Sequence, residues 1–217
     1  MTPTEVSPPA AAPDRRQQIL DAAMTCFGRS GFHPTTMQDV ADEAKVSVGL
    51  IYRYFPSKDA VIAEIAREHK ADLAKLLEEA RQAPSLFEAI EIFFTCHHDD
   101  EHAQVIAPFV LDLFAESARN AHVRGLVRDV HHFFVDGIAE LIAASGDAER
   151  LPPGFSPHQA AELIVDATHG LMIRDVTELS DLSPASACER QLAGLRSLWT
   201  LLFPAAHDLC VPTGEQP

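Results

Sequence analysis

The 217-residue sequence has no segment of sustained apolar–polar alternation, and helix formers dominate it. No strand is therefore predicted, and the fold class expected is all-α. No apolar run approaches the roughly 20 residues that a membrane-crossing helix needs. Residues 1–12 lack the basic stretch followed by an apolar run that marks a signal peptide. The four cysteines, Cys26, Cys96, Cys188 and Cys210, are widely scattered and share no CxxC spacing, which fits a reduced, cytoplasmic protein. There is no internal repeat, nucleophile elbow, phosphate loop or HExxH, so neither an enzyme nor a cofactor is predicted. Basic residues are also scarce: 17 Lys and Arg stand against 32 Asp and Glu, a net charge of −15.

What is present is a dense local pattern at residues 35–58, TTMQDVADEAKVSVGLIYRYFPSK. Met37, Val40, Ala41 and Ala44 recur at helical spacing, which predicts a short helix over about 36–44. Two overlapping capping boxes, Thr35/Gln38 and Thr36/Asp39, fix its start to within one residue. Lys45 and Val46 make a turn, and Ser47 is the N-cap of a second helix over 48–54, the spacing of a helix-turn-helix. Pro56 stops that helix, and Ser57 caps the next with Lys58 in its first turn. The second helix is rich in groups that bond phosphates and base edges: the hydroxyls of Ser47, Tyr52 and Tyr54 and the Arg53 guanidinium. Gly49 removes a side chain where a nucleic-acid backbone could come close. Val48 and Leu50 are apolar, suited to thymine methyls, with burial the other reading for Leu50.

This run, with the preceding helix that carries Arg15, Ile19, Leu20, Ala22, Ala23 and Phe27 before Gly31 and Phe32, resembles the N-terminal signature of the tetracycline-repressor (TetR) family of bacterial regulators. The resemblance covers about the first quarter of the chain. It implies a homodimeric, ligand-responsive repressor bound to a palindromic double-stranded operator. By position it implies that Thr36, Tyr52 and Lys58 hold phosphates while Ser47, Val48, Gly49, Arg53 and Tyr54 face the groove. The charge is distributed accordingly. Residues 13–60 hold six basic and six acidic residues, whereas residues 61–217 hold eleven and twenty-five. A neutral head and an acidic body favour a head-first approach to DNA and weak non-specific binding.

Along the remaining chain, apolar stripes predict helices over about 57–82, 86–95, up to 119, 120–145, from 156 and from 183 to about 203, nine in all. Ser85/Glu88, Asn120, Ser156 with Pro157 and Gln159, and Ser183 with Pro184 mark starts; Pro108 stands either in a first turn or at a kink. The predicted organisation is a disordered tail at 1–12, a helix-turn-helix domain at 13–60, a ligand-binding and dimerisation domain at 61–203, and a flexible tail at 204–217. The fourth helix, with the stripe Ile62, Ile65, Ala66, His69, Leu73, Leu76 and Leu77, joins the two domains as a rod.

The resemblance also implies a cavity for an unidentified small-molecule effector. Phe93, Phe94, Phe109, Phe114, Phe133 and Phe134 are its candidate lining, with core packing as the alternative for each; His169 is either part of it, at an interface, or simply packed. For a dimer through the last two helices the candidates are Leu163, Ala167, Gly170, Leu171, Leu195 and Trp199, with Gly170 and Ala167 permitting close helix approach. His97, His98, Asp99, Asp100, Glu101 and His102 have the side chains of a zinc or nickel site but no standard spacing. They read first as a solvated helix end, and no metal is predicted. The alternative function is a helical metal-binding protein or metalloenzyme built on that segment.

Overall fold

The computed structural model describes residues 14–95, 100–178 and 184–204. Within them the elements are α1 (Arg15–Ser30), α2 (Met37–Glu43), α3 (Val48–Tyr54), α4 (Lys58–Ala80), α5 (Leu86–Thr95), α6 (Asp100–Ser117), α7 (Ala121–Ala144), α8 (Pro157–Glu178) and α9 (Pro184–Leu202), with a 3-10 turn at Gly146–Arg150. The chain is all-α, as the pattern predicts. No described helix is long and apolar enough to cross a membrane.

Side-chain oxygens close most helix starts. Asp14 accepts from Arg16 N–H, Ser47 from Leu50 N–H, Ser57 from Ala60 N–H, and Asn120 from His122 and Val123 N–H. Of the two overlapping boxes, the one formed is Thr36/Asp39. Thr35 is buried instead, and its hydroxyl donates to Gly31 O at 2.7 Å. Ser156 and Gln159 exchange backbone bonds at 2.9 and 3.2 Å, the capping box expected before α8. Gly31 ends α1 with φ 85, a conformation that favours glycine. Pro108 lies inside α6, well past its first turn.

Two hydrophobic cores organise these helices. The first joins Ile19, Leu20, Ala23 and Phe27 of α1, Val40 and Ala41 of α2, Ile51 of α3, and Val61, Ile62 and Ile65 of α4. Phe109 of α6 and Val123 of α7 belong to the same core, so it extends into residues beyond 60. Each large side chain buried here contributes about 1.5–3 kcal/mol. The second core gathers Leu73 and Leu77, Ile90 and Phe93, Ile138 and Ile142, Ile164 and Val165, Leu195 and Phe203 from α4, α5, α7, α8 and the end of α9. On α4 the predicted stripe is corrected at one position: His69 is exposed, and Val61 is buried in its stead. Gly137 lets α7 approach α4 closely, because a Cβ there would overlap the Leu77 side chain.

Candidate nucleic-acid interface and effector region

The turn between α2 and α3 depends on Lys45, whose φ of 54 is unusual for a residue with a side chain. Val46 N–H then bonds Ala41 O at 3.0 Å, and Ser47 starts α3. Ile51 and Phe55 are sealed in the head core, which fixes the rotation of the helix. The opposite face is consequently outside: Tyr52 is 52% exposed and Tyr54 42%, with Ser47, Gly49 and Arg53 exposed beside them. Two aromatic rings with such exposure on a seven-residue helix bury nothing within the chain that would account for them. A Cβ at Gly49 would meet nothing within 4 Å, so packing inside the chain does not demand glycine there. Val48 rests partly on the head core, and Leu50 is half-buried. Arg16 pairs with Glu64 at 2.5 Å and Arg29 with Glu43 at 3.1 Å, whereas Arg53 has no ion pair among the described residues.

Two residues expected to hold phosphates are engaged inside the protein. The Lys58 ammonium donates to Phe32 O at 2.6 Å, His33 O at 3.0 Å and Thr35 O at 2.9 Å, and lies 4.4 Å from the Phe32 ring centroid. An ammonium has three N–H donors, and all three are taken. Burial, opposed by Asp59, Glu116 and Asp112, pushes its pKa down. Lys58 thereby braces the α1–α2 loop through these three carbonyls, and a phosphate at Lys58 would compete with them. Thr36 likewise spends its hydroxyl and its N–H on Asp39, each at 2.7 Å. These bonds from Thr36 hold the Asp39 carboxyl below its ordinary pKa. A phosphate at Thr36 would have to compete with this carboxylate.

The loop is also gripped from the body. Asp112 of α6 accepts the Phe32 N–H. Phe109, one turn earlier on α6, stacks on Phe27 of α1 with centroids 6.0 Å apart. Phe109 thus belongs to the head–body junction, a correction to its expected place in an effector cavity. No spacing rule finds Asp112, because its partner lies 80 residues away.

The other effector candidates divide into two places. Phe93 is buried against Phe134, centroids 5.0 Å apart, within the second core. Phe133 lies under the Lys70 ammonium at 4.8 Å. Phe114 of α6 meets His169 of α8 edge to face at 5.1 Å, and His131 of α7 stacks on His169 at 6.0 Å. Burial first, and then the His131 charge, lowers the His169 pKa, with Asp166 opposing. The side chain of Phe94, residues 97–99 and the side chains of 100–102, with the metal reading of that segment, lie outside what is described. Open grooves are found elsewhere on the described surface. One runs along α1 past Gln17, Asp21 and Lys45, and another lies beside Glu79, Gln82 and Glu88. Neither is bordered by the phenylalanines or by His169.

Of the dimer candidates, Leu163 is 42% exposed and Gly170 is exposed with open space about it, while Ala167 between them is half-buried. These three follow one another at i, i+4 and i+7 on one face of α8. Leu195 is corrected: only 2% exposed, it belongs to the chain's own core and cannot face a partner. Leu171 turns inward onto Gly194 of α9, and Trp199 is wedged between Phe87 at 5.2 Å and Phe203 at 4.3 Å. The apolar stripe of α9 faces inward, leaving Leu201, 73% exposed, on its outer side with Ile173 of α8 also outside. Neither Leu201 nor Ile173 was among the expected residues.

Residues 19–65 match the family model described as bacterial regulatory proteins, tetR family. The HTH-type transcriptional regulator UidR of Escherichia coli strain K12 is 24% identical over 158 residues, 72% of this chain and 79% of that protein. The nicotine-responsive transcriptional repressor HdnoR of Paenarthrobacter nicotinovorans is 23% identical over 180 residues, 81% and 91% of the two chains. The solved structure of Salmonella enterica GusR shares the fold with a TM-score of 0.70 at 24% identity, over 89% of this chain and 98% of that one.

Proposed function

This chain belongs to the TetR family of bacterial regulatory proteins, and from that premise we propose that it is a dimeric transcriptional repressor released from a palindromic operator by a small molecule. The observation that carries the DNA side is the outward face of α3. Tyr52, Arg53 and Tyr54 stand exposed on a helix whose other side is sealed by Ile51 and Phe55. With Ser47, Val48 and Gly49 they form the surface offered to a major groove. The neutral head and acidic body give the approach its direction. The reading assigns no reaction to the chain, and it places the protein in the cytoplasm with the DNA it binds. The division of labour is a DNA-binding head over 13–60 and an effector-binding, dimerising body over 61–203.

A two-fold operator needs a two-fold protein. The surface assigned to the dimer is the exposed face of α8 with Leu163, Ala167 and Gly170, extended by Ile173 and by Leu201 of α9. Effector control is assigned to the space around Phe93, Phe114, Phe134 and His169, between α5, α6, α7 and α8. Its support is the route to the head. Phe114 lies two residues from Asp112, which holds the loop that Lys58 also holds from α4. A shift of α6 or α4 would move that loop, and with it α2 and α3. Tenfold weaker operator binding requires the effector to prefer the shifted state by about 1.4 kcal/mol. HdnoR, named as nicotine-responsive, offers a precedent for such control in a relative, without naming the effector here.

The test is selection of bound fragments from genomic DNA by the full-length protein. A recovered near-palindrome with half-sites about one helical turn apart supports the reading. Recovery of no preferred duplex overturns it.

A further inference from the structure

We propose that His131 of α7 and Asp166 and His169 of α8 form a binding site for one divalent cation of the zinc class. One ligand atom from each of the three lies within 4.8 Å of the other two. Asp166 and His169 are three residues apart on α8 and share a face of that helix. α7 packs along α8 and brings His131 to the same face. A cation with nitrogen and oxygen bonds of about 2.0–2.2 Å draws its ligands to roughly 3.4 Å from one another. Closing from the present separation takes a side-chain rotation, which Asp166, exposed at the rim, is free to make. The two imidazole planes are 29° apart, with ring centroids separated by 6.0 Å.

A second observation accompanies this spacing. His131 and His169 are half-buried and Asp166 is exposed. Neither His131, His169 nor the Asp166 carboxylate forms a hydrogen bond among the described residues, while Phe114 and His131 pack against the His169 ring. Three groups whose lone pairs are not used by the protein therefore lie within 4.8 Å of one another. The donor set selects the metal class. Two imidazoles and a carboxylate suit Zn²⁺, Co²⁺ or Ni²⁺ rather than Mg²⁺ or Ca²⁺, which favour oxygen cages. With three protein ligands the coordination sphere keeps at least one position for water. The site shares no residue with the 97–102 segment. It was hidden in the sequence because His131 and His169 lie on separate helices.

The experiment is titration of the chelator-treated full-length protein with Co²⁺ and with Zn²⁺, read by the cobalt visible spectrum and by calorimetry. One cation per chain is expected. His131→Ala and His169→Ala should each abolish binding, and the near-isosteric Asp166→Asn should weaken it about tenfold or more while leaving the helical circular-dichroism spectrum intact. His132→Ala and the combined His97→Ala, His98→Ala, His102→Ala variant should bind as the wild type does. Absence of binding to the folded wild-type protein overturns the proposal. So does binding that survives His131→Ala and His169→Ala but is lost in the combined variant.

Discussion

In the head, local sequence and tertiary structure agree residue by residue: Thr36, Ser47 and Ser57 cap the helices that their patterns announce, and Ile51 and Phe55 orient α3. In the body the helices also fall where their stripes place them, but the partners of their side chains do not follow from the stripes. Leu195 and Leu163 both occur on apolar faces near the end of the chain. One is in the core and the other on the surface. The contrast teaches that a short helix held by caps and a proline has one way to sit, whereas a long amphipathic helix in a bundle has several. What the body recognises is therefore written in tertiary contacts, and what the head recognises in a few consecutive residues.

The comparison can be broken first in the body. Gly137→Leu would drive a side chain into Leu77 and separate α7 from α4. A loss of about 3 kcal/mol is expected by denaturant unfolding, the upper range for overpacking. An unchanged midpoint would mean that the α4–α7 seam is looser than described. In the head, Lys58→Met keeps the apolar stem but strips three carbonyls of their donor. It should cost about 2 kcal/mol and speed amide exchange in residues 31–36. The salt dependence of operator binding should hardly change. A fall in slope of about one without loss of stability would instead mark Lys58 as a phosphate contact.

Smaller effects sharpen the division. Gly170→Arg adds a charged side chain where a Cβ meets nothing within 4 Å. It should leave the single chain folded and yield monomers by light scattering; a persistent dimer would move the interface elsewhere. Thr36→Ala removes the capping-box hydroxyl and should cost about 1 kcal/mol in the head alone. The smallest is a pH effect. The folded-state pKa of His169 lies below its ordinary value of about 6.5, so the unfolded chain binds more protons between the two. Stability should be complete above about pH 6.5 and decline as pH falls through that window. His169→Gln should flatten this dependence; an unaltered profile would show that other groups cause it.

The residues explain how far sequence reading reaches. Ser47, Gly49, Tyr52, Arg53 and Tyr54 were legible because spacing within one short helix decides which of them face outward. The internal bonds of Lys58 were not legible, because hydrogen-bond donors are allotted by neighbours that no periodicity reveals, whereas the Thr36 cap was written in its spacing to Asp39. Lys58 reaches carbonyls 23 to 26 residues back. Phe109 looks like every other phenylalanine in the bundle until α6 is set against Phe27 of α1. His131, Asp166 and His169 become a group only through the packing of α7 on α8.

The central claim is that sequence recognition resides on the exposed face of α3. The direct measurement is the affinity of the selected operator and of a scrambled duplex, at one fixed salt concentration, for the wild type and for Tyr52→Ala, Arg53→Ala, Tyr54→Ala combined. All three residues are exposed, so the variant should unfold with the wild-type midpoint. The account predicts that the wild type prefers its operator by about a thousandfold or more and that the variant loses that preference. A folded variant that still distinguishes the operator as well as the wild type does would contradict it.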